Sequence, residues 1–129
     1  MKAAISSFNR KVTAEITWRG FDIRMSAYVV FIREKTNNIE ELGIYASKAP
    51  VGLAGHSLKP LAMYGTHEVI EGPDVEGVAV LEFPNMEEAK AWYYSPAYQD
   101  ALQHRLKGGI YRGVMVEGLS KFETDGCKI

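Results

Sequence analysis

The sequence has little cysteine, no long apolar run and almost no net charge. Its 129 residues include a single cysteine, Cys127, which cannot form an internal disulfide, and this favours a reducing cytoplasm. The apolar runs are short, for example Val78 to Leu81, whereas a membrane-spanning helix needs about 20 apolar residues. Lys and Arg number 15 against 16 Asp and Glu. The sequence therefore predicts neither a membrane segment nor a nucleic-acid partner, because phosphate binding needs a basic surface.

Patterns typical of metal and nucleotide sites are also missing. His56, His67 and His104 are the only histidines, and no two have the spacing that joins ligands on one strand or one helix. No metal, nucleotide or other cofactor is therefore predicted, although haem held by one axial histidine remains an open alternative. His104 shares a polar side with Gln103 and Lys107, which predicts that it is exposed.

Composition divides the chain into an extension, one domain and a tail. Residues 1–24 are basic before their first acid, Glu15, and lack the apolar core of a secretory signal. They are interpreted as an N-terminal extension, in which the alternation over residues 12–18 predicts an edge strand. The domain is expected at residues 25–119, where apolar residues are frequent enough for one core. Residues 120–129 are interpreted as a C-terminal tail.

Four apolar segments predict strands, and capped segments predict helices between them. The strands are expected at Tyr28–Ile32, at about Lys59–Glu71 with a break or a bulge near Gly65, at Gly77–Phe83 and at Ile110–Val116. Asn38 and Asn85, each followed three residues later by Glu, predict the starts of two helices. Ser95-Pro96 restarts the second helix, and Gly108-Gly109 ends it.

The resulting order is β-α-β-β-α-β, an α+β ferredoxin-like fold in which two helices cover one face of a four-stranded antiparallel sheet. The strands at Tyr28–Ile32 and Val78–Leu81 have no polar face, so the opposite side of the sheet also needs a cover. A second copy of the same sheet supplies that cover. The sequence therefore predicts a homodimer packed sheet to sheet.

Several residues of the segment from Tyr28 to Gly118 follow the pattern of one sequence family. They are Tyr45, Glu68-Val69-Ile70-Glu71-Gly72, Leu81-Glu82-Phe83-Pro84, Ala89, Ser95-Pro96-Ala97-Tyr98-Gln99, Arg105 and Gly118. On these residues the chain resembles the family called domain of unknown function 1330, of the dimeric α+β barrel superfamily. The resemblance implies that two sheets pair into such a barrel. The superfamily includes cofactor-free monooxygenases, lactone isomerases, haem-using enzymes and proteins without known chemistry, so it implies no single reaction.

Tyr98 and Arg105 are seven residues apart on one predicted helix, so they share the face of Leu102. In this fold that face points toward the sheet, where a hydroxyl and a guanidinium can bind a carboxylate or an enolate. The alternative is structural: Arg105 bonds backbone carbonyls or Glu82, and Tyr98 belongs to the core.

Glu71 and His67 are four residues apart in the predicted second strand. They would share a face but lie about 13 Å apart, which excludes joint ligation of a metal by this pair. Either side chain can act as a general base in a pocket. The alternative for Glu71 is a turn carboxylate that accepts from the backbone N–H groups of residues 72–74.

Seven tyrosines can line a cavity for a planar ligand, or fill the core and the dimer interface. The candidate pocket, between the helices and the sheet, comprises Tyr45, His67, Glu71, Tyr98 and Arg105. Two classes of function are open. One is a cofactor-free enzyme that acts on a small carbonyl or aromatic metabolite; the other is a non-catalytic metabolite-binding or structural, stress-related dimer. Convergence of these side chains on one cavity would argue against a purely structural dimer.

Overall fold

Strands and helices follow one another in the predicted β-α-β-β-α-β order, with the second helix in two parts. The computed structural model describes residues 25–119. The elements are β1 (Ala27–Thr36), α1 (Ile39–Lys48), a 3₁₀ turn (Ala49–Leu53), β2 (Lys59–Met63), β3 (Gly77–Phe83), α2 (Met86–Tyr93), α3 (Pro96–Gly108) and β4 (Gly109–Glu117). The ferredoxin-like α+β prediction is confirmed. The predicted edge strand at residues 12–18, the tail and Cys127 lie outside the described residues.

The sheet is antiparallel throughout and has the strand order β2-β3-β1-β4. The central strand β1 pairs with β3 from Ala27 opposite Phe83 to Arg33 opposite Gly77. On its other side β1 pairs with β4, with a shift in register after Arg33. Because side chains alternate across a strand, every second residue from Ala27 to Phe31 of β1 and along β3 faces the helices and is buried, and the residues between them face the opposite side.

Each helix begins where the sequence places a capping side chain. The Asn38 side chain accepts hydrogen bonds from the N–H groups of Glu40 and Glu41, at 3.0 and 3.2 Å. Asn85 caps α2, and Ser95 caps α3 ahead of Pro96. These bonds satisfy donors that a helix start leaves unpaired. None of the helices within residues 25–119 is long and apolar enough to cross a membrane.

The core fills the space between the sheet and the helices. Its buried members include Ala27, Val29, Phe31, Ala79, Leu81, Phe83, Ala89, Trp92, Tyr98 and Leu102. Trp92 is central to this cluster because its ring centroid lies 4.3 Å from that of Tyr98 and 5.2 Å from that of Phe83. The aromatic segment of α2 and α3 therefore belongs partly to the core, as one of the two interpretations expected.

The second strand is shorter than predicted. β2 ends at Met63, which confirms the predicted interruption near Gly65 as a break, whereas the predicted continuation to Glu71 is wrong. A shift in register also lies between Pro60 and Ala62. Tyr64 takes a left-handed backbone conformation with φ of 56°, which bends the chain out of the extended path. Its N–H still donates to the carbonyl oxygen of Val78 at 2.9 Å, and residues 65–76 then leave the sheet.

The face of the sheet away from the helices is apolar along its middle and is not covered by any of residues 25–119. We call this the open face; it carries Val30, Ile32, Val78, Val80, Val114 and Val116. Val114 and Val116 are 52% and 49% exposed. The expectation that both faces of the central strands are buried is confirmed for the helix side, and for the open face it stays a prediction that depends on a second copy of the chain.

Substitutions at two glycines can test how closely α3 packs against α1. A Cβ atom on Gly108 would lie 2.5 Å from Leu42 Cδ2 and 3.0 Å from the Leu42 backbone nitrogen. Since Leu42 is buried, Gly108→Ala should force α1 outward and lower the free energy of unfolding by about 1–3 kcal/mol. Gly43 of α1 has open space at its Cβ position, so Gly43→Ala should raise the free energy of unfolding by about 0.5–1 kcal/mol. Urea denaturation measures both, and equal effects would contradict this packing.

Candidate functional site

A cavity of about 400 Å³ lies between the sheet and the first helical segment. Phe31, Ala79 and Leu81 form its floor on β1 and β3. Its opposite wall comes from α1, the 3₁₀ turn and the following loop, through Leu42, Ala46, Ala49, Pro50, Leu53 and Leu58. The turn can pack closely because a Cβ on Gly52 would lie 3.3 Å from the backbone of Tyr98. The cavity is therefore apolar over most of its lining.

Tyr45 lines the cavity and is joined to Tyr98 behind it. The two hydroxyl oxygens share a hydrogen bond of 2.8 Å, and the rings meet edge to face. Burial raises the pKa of both hydroxyls above the ordinary value of 10.0, although the charge of Arg105 acts in the opposite direction. Both tyrosines are therefore neutral at pH 7 and act as hydrogen-bonding groups, not as bases.

Arg105 lies directly behind the cavity wall and is only 4% exposed. Its guanidinium carbon is 4.6 Å from the ring centroid of Phe31, 4.8 Å from that of Tyr111 and 6.0 Å from that of Tyr45. All three rings line the cavity. The ion pairs found within residues 25–119 do not include Arg105, so ring faces and not a carboxylate surround its charge.

One end of the cavity is polar and is formed by Arg33, Tyr64 and Tyr111. The Arg33 guanidinium carbon lies 4.8 Å from the centroid of the Tyr64 ring. Burial lowers the pKa of Arg33, but Tyr111, Tyr64 and Glu76 more than offset this effect, so the pKa is raised. Burial raises the pKa of Tyr64 most, and the neighbouring Tyr111 raises it further. These side chains therefore form one electrostatic cluster, which is referred to below as the arginine end.

Three buried N–H groups around the cavity have no hydrogen-bond acceptor. They are Nε of Arg33, Nε1 of Trp92 and Nε of Arg105. Arg33 Nε lies 3.2 Å from a carboxylate oxygen of Glu76, but its N–H forms no hydrogen bond with that oxygen. Buried donors without acceptors are uncommon in folded proteins and destabilise the empty state. A hydrogen-bond acceptor on a bound molecule would stabilise each donor that it reached.

The structure brings together three of the five candidate residues. Tyr45 lines the cavity, and Tyr98 and Arg105 form the layer behind it. His67 and Glu71 are exposed on the loop after β2, and neither lines the cavity. His67 Nε2 lies 3.0 Å from the carbonyl oxygen of Val75. The strand geometry expected for this pair does not exist, because β2 ends before them.

Two further expectations about polar partners are wrong. His104 was expected to be exposed, but its ring nitrogen lies 2.9 Å from a carboxylate oxygen of Glu41 on α1, and its side chain is only 20% exposed. Glu82, one of the partners that the structural alternative gave Arg105, faces the open side and accepts a hydrogen bond from Tyr28 at 3.2 Å. The alternation of side chains along β3 separates Glu82 from the helices.

Sequence reasoning missed Arg33, and it considered Trp92 and the tyrosines as possible cavity lining without saying which of them reach the cavity. Arg33 continues the alternation of Ala27, Val29 and Phe31 onto the helix side of β1, and this period of two was the signal that could have found it. Tyr64 and Tyr111 carry no comparable signal. Among residues 25–119, no cluster of three or more His, Cys, Asp or Glu side chains has the geometry to hold a metal ion.

Comparison with known proteins gives the family but no activity. The sequence family described as a domain of unknown function, DUF1330, matches residues 26–119. The chain belongs to the DUF1330 family. No curated protein matches it significantly.

Solved structures show the same fold as this DUF1330 chain. One is the RPA0582 protein of unknown function from Rhodopseudomonas palustris, 17% identical, with a TM-score of 0.61 over 84% of this chain and 92% of that one. Another is a dimeric ferredoxin-like protein of unknown function from Thermobifida fusca, 10% identical, with a TM-score of 0.52 over 73% of this chain and 92% of that one.

The tyrosine pair should make the protein sensitive to alkaline pH. Because the pKa of each hydroxyl is higher in the folded chain than its ordinary value of 10.0, unfolding releases protons above about pH 10. The free energy of unfolding should then fall by up to about 1.4 kcal/mol per pH unit for each tyrosine until the folded pKa is reached. Urea denaturation of the protein and of Tyr45→Phe/Tyr98→Phe, from about pH 8 to about pH 11, measures the difference in slope.

Tyr94→Phe is the matched control for this experiment, because Tyr94 is 68% exposed. Its slope with pH should equal that of the unchanged protein. If the double variant also keeps the unchanged slope, the tyrosine pair does not titrate as its burial requires.

Proposed function

We propose that this chain is a homodimer in which each subunit binds a small, largely apolar or aromatic molecule carrying a carbonyl or carboxylate group. The folded unit is residues 25–119, with residues 1–24 as an extension and residues 120–129 as a tail. The family match over residues 26–119 supports these limits. The single cysteine supports a reducing, cytoplasmic location.

The cavity and its lining are the observation that carries the ligand-binding proposal. A volume of about 400 Å³ lies within the range of about 300–1,000 Å³ for small-molecule pockets. An apolar lining with a few convergent polar groups, here Arg33, Tyr45 and Tyr111, is also typical of such pockets. A purely structural role would give no reason for two buried N–H donors beside this cavity, Nε1 of Trp92 and Nε of Arg105, that have no hydrogen-bond acceptor.

Binding without catalysis is the better supported of the two functional classes. The residues that line the cavity include no His, Cys, Asp or Glu among residues 25–119, so an ordinary general base is not at hand. The tyrosines are held neutral by burial. A ligand would therefore be held and oriented, with no group in the lining ready to accept a proton from it.

One observation favours a cofactor-free enzyme as the second candidate. The Tyr45 hydroxyl is at the cavity wall and bonded to that of Tyr98. A protonated hydroxyl in this position can donate to a carbonyl oxygen and stabilise charge that develops there. Such an enzyme would act on a small carbonyl compound. Its turnover would fall in Tyr45→Phe, whereas binding of a non-reacting ligand would change much less.

The open face supports the homodimer. It presents valine and isoleucine side chains from three strands, and an apolar sheet face of this extent is normally covered. The same face on a second copy is complementary to it by symmetry, which suits sheet-to-sheet packing. The structural relative from Thermobifida fusca is described as dimeric.

A substitution that fills the cavity should abolish ligand binding without unfolding the protein. Ala46 lines the cavity, whereas its neighbour Ser47 does not, so Ala46→Phe and Ser47→Phe place the same ring inside and outside. Calorimetric titration with 2-naphthoate and with 2-naphthamide measures binding of a charged and a neutral aromatic probe. Ala46→Phe should weaken the binding of either probe by at least about tenfold, and Ser47→Phe should leave it unchanged.

Two results would contradict the proposed cavity function. One is that neither probe binds the unchanged protein at millimolar concentration. The other is that Ala46→Phe and Ser47→Phe bind the probes equally well, because the binding site would then lie elsewhere. Thermal unfolding of both variants confirms that each is folded.

A charge on the open face should dissociate the dimer. Val114 is 52% exposed in the single chain, so Val114→Asp would cost a monomer little, whereas a buried unpaired charge in a dimer costs several kcal/mol. Ile39→Asp is the control, because Ile39 is 73% exposed at the start of α1. Sedimentation equilibrium should show a dimer for the protein and for Ile39→Asp, and a monomer for Val114→Asp. A monomeric unchanged protein at micromolar concentration would refute the dimer.

A further inference from the structure

The geometry points to an aromatic carboxylate as the ligand of the cavity, with its carboxylate at the arginine end formed by Arg33, Tyr64 and Tyr111. This inference rests on the proposed ligand-binding function and adds the charge and the orientation of the ligand. The aromatic body would lie along the apolar floor and wall, toward Phe31 and Trp92.

The charged side chains around the cavity are mainly positive. Arg33 lines it, and Arg105 lies behind Phe31 and Tyr111 of the same wall. No carboxylate of residues 25–119 lines the cavity, and none pairs with Arg105. A buried cation without a counter-charge is costly. An anion at this end would reduce that cost, whereas a neutral ligand would leave it unchanged.

Glu76 is the one acid of residues 25–119 that pairs with Arg33, and it also forms other hydrogen bonds. Both oxygens of Glu76 already accept hydrogen bonds from Thr36, one from its hydroxyl at 2.5 Å and one from its N–H at 3.0 Å. Glu76 meets Arg33 at Nε, and its side chain is 40% exposed, where solvent weakens the pair. Tyr111 is the other hydrogen-bonding neighbour of the Arg33 guanidinium, so no second carboxylate of the described residues pairs with Arg33, and a bound ligand can supply one.

The surroundings of Tyr64 hold its side chain in one position. A large residue rarely takes a φ of 56°, and the conformation persists only where its surroundings impose it. Here the Tyr64 ring packs on Gly77, where an added Cβ would lie 2.7 Å from the ring, and it lies over the Arg33 guanidinium at 4.8 Å. The arginine end is therefore held in place before any ligand arrives, which lowers the cost of binding.

The donors around the cavity agree with this ligand. At the arginine end, Nε of Arg33 forms no hydrogen bond within the described residues, although Glu76 lies 3.2 Å from it. The hydroxyls of Tyr64 and Tyr111 can donate as well, and burial keeps the Tyr64 hydroxyl protonated. A carboxylate carries only acceptors, whereas a primary amide of the same shape brings an N–H₂ group that would meet further donors.

The matched pair 2-naphthoate and 2-naphthamide separates charge from shape. In a Trp18→Phe background, Trp92 is the sole tryptophan, and its fluorescence reports on occupation of the cavity. We expect 2-naphthoate to bind at least about tenfold more tightly than 2-naphthamide. Arg33→Gln should remove this preference and leave the amide affinity nearly unchanged. Lys90→Gln, the same loss of charge at an exposed position of α2, should keep the preference.

Glu76→Gln provides an independent test if Arg33→Gln is poorly folded. Without the Glu76 charge, no protein carboxylate competes with the ligand for Arg33, so the affinity for 2-naphthoate should rise about two- to fivefold, while that for 2-naphthamide stays constant.

Equal binding of the two probes by the unchanged protein would overturn this inference and leave the proposed cavity function standing. Failure of both probes to bind would instead refute the proposed function. A parallel loss of both probes in a folded Arg33→Gln variant would also overturn the inference, because Arg33 would then shape the cavity without recognising charge.

Discussion

The burial of the Arg105 guanidinium among aromatic rings is the constraint on which the helical side of this fold depends. Arg105 extends from α3 to Phe31 of β1 and Tyr111 of β4, and it lies near Tyr45 of α1. Desolvation of a cation destabilises the folded chain by several kcal/mol, whereas one cation–π contact stabilises it by about 0.5–2 kcal/mol. The guanidinium is therefore stable here only because several rings surround it together. The same rings form the cavity wall, so the need to shield Arg105 also fixes the shape of the candidate site.

The sheet keeps the charges of the helix side apart from those of the open side, where Glu82 lies together with Lys59 and Arg112. Arg33 and Arg105 lie on the helix side, whereas Glu82 of β3 lies on the open side with Tyr28. Alternation along the strands produces this arrangement from residues that are close in sequence. Glu82 therefore cannot neutralise either arginine without crossing the sheet. The positive potential of the cavity follows from strand register as much as from the choice of residues.

Local patterns predicted the fold well and the site only in part. The caps at Asn38, Asn85 and Ser95 and the alternation of β1 act within a few residues, and each is where the sequence places it. The end of β2 was missed because Tyr64 is a good strand former that adopts a left-handed conformation against its own preference. Arg33, Tyr64 and Tyr111 come from three separate segments that only the sheet and its exit loop bring together. The pairing of His104 with Glu41 likewise depends on how α1 and α3 pack.

The cavity and the open face are opposite sides of the same strands, so they cannot be independent. Phe31 forms part of the cavity floor, and its neighbours Val30 and Ile32 in β1 face the open side. Packing in a protein interior transmits displacements because few voids absorb them. Covering the open face would restrain the backbone of β1 and β3, and with it the positions of Phe31, Arg33 and Ala79 in the cavity. Association of two subunits would therefore order both cavities at once, and a substitution on the open face would affect ligand affinity even though no side chain there reaches the ligand.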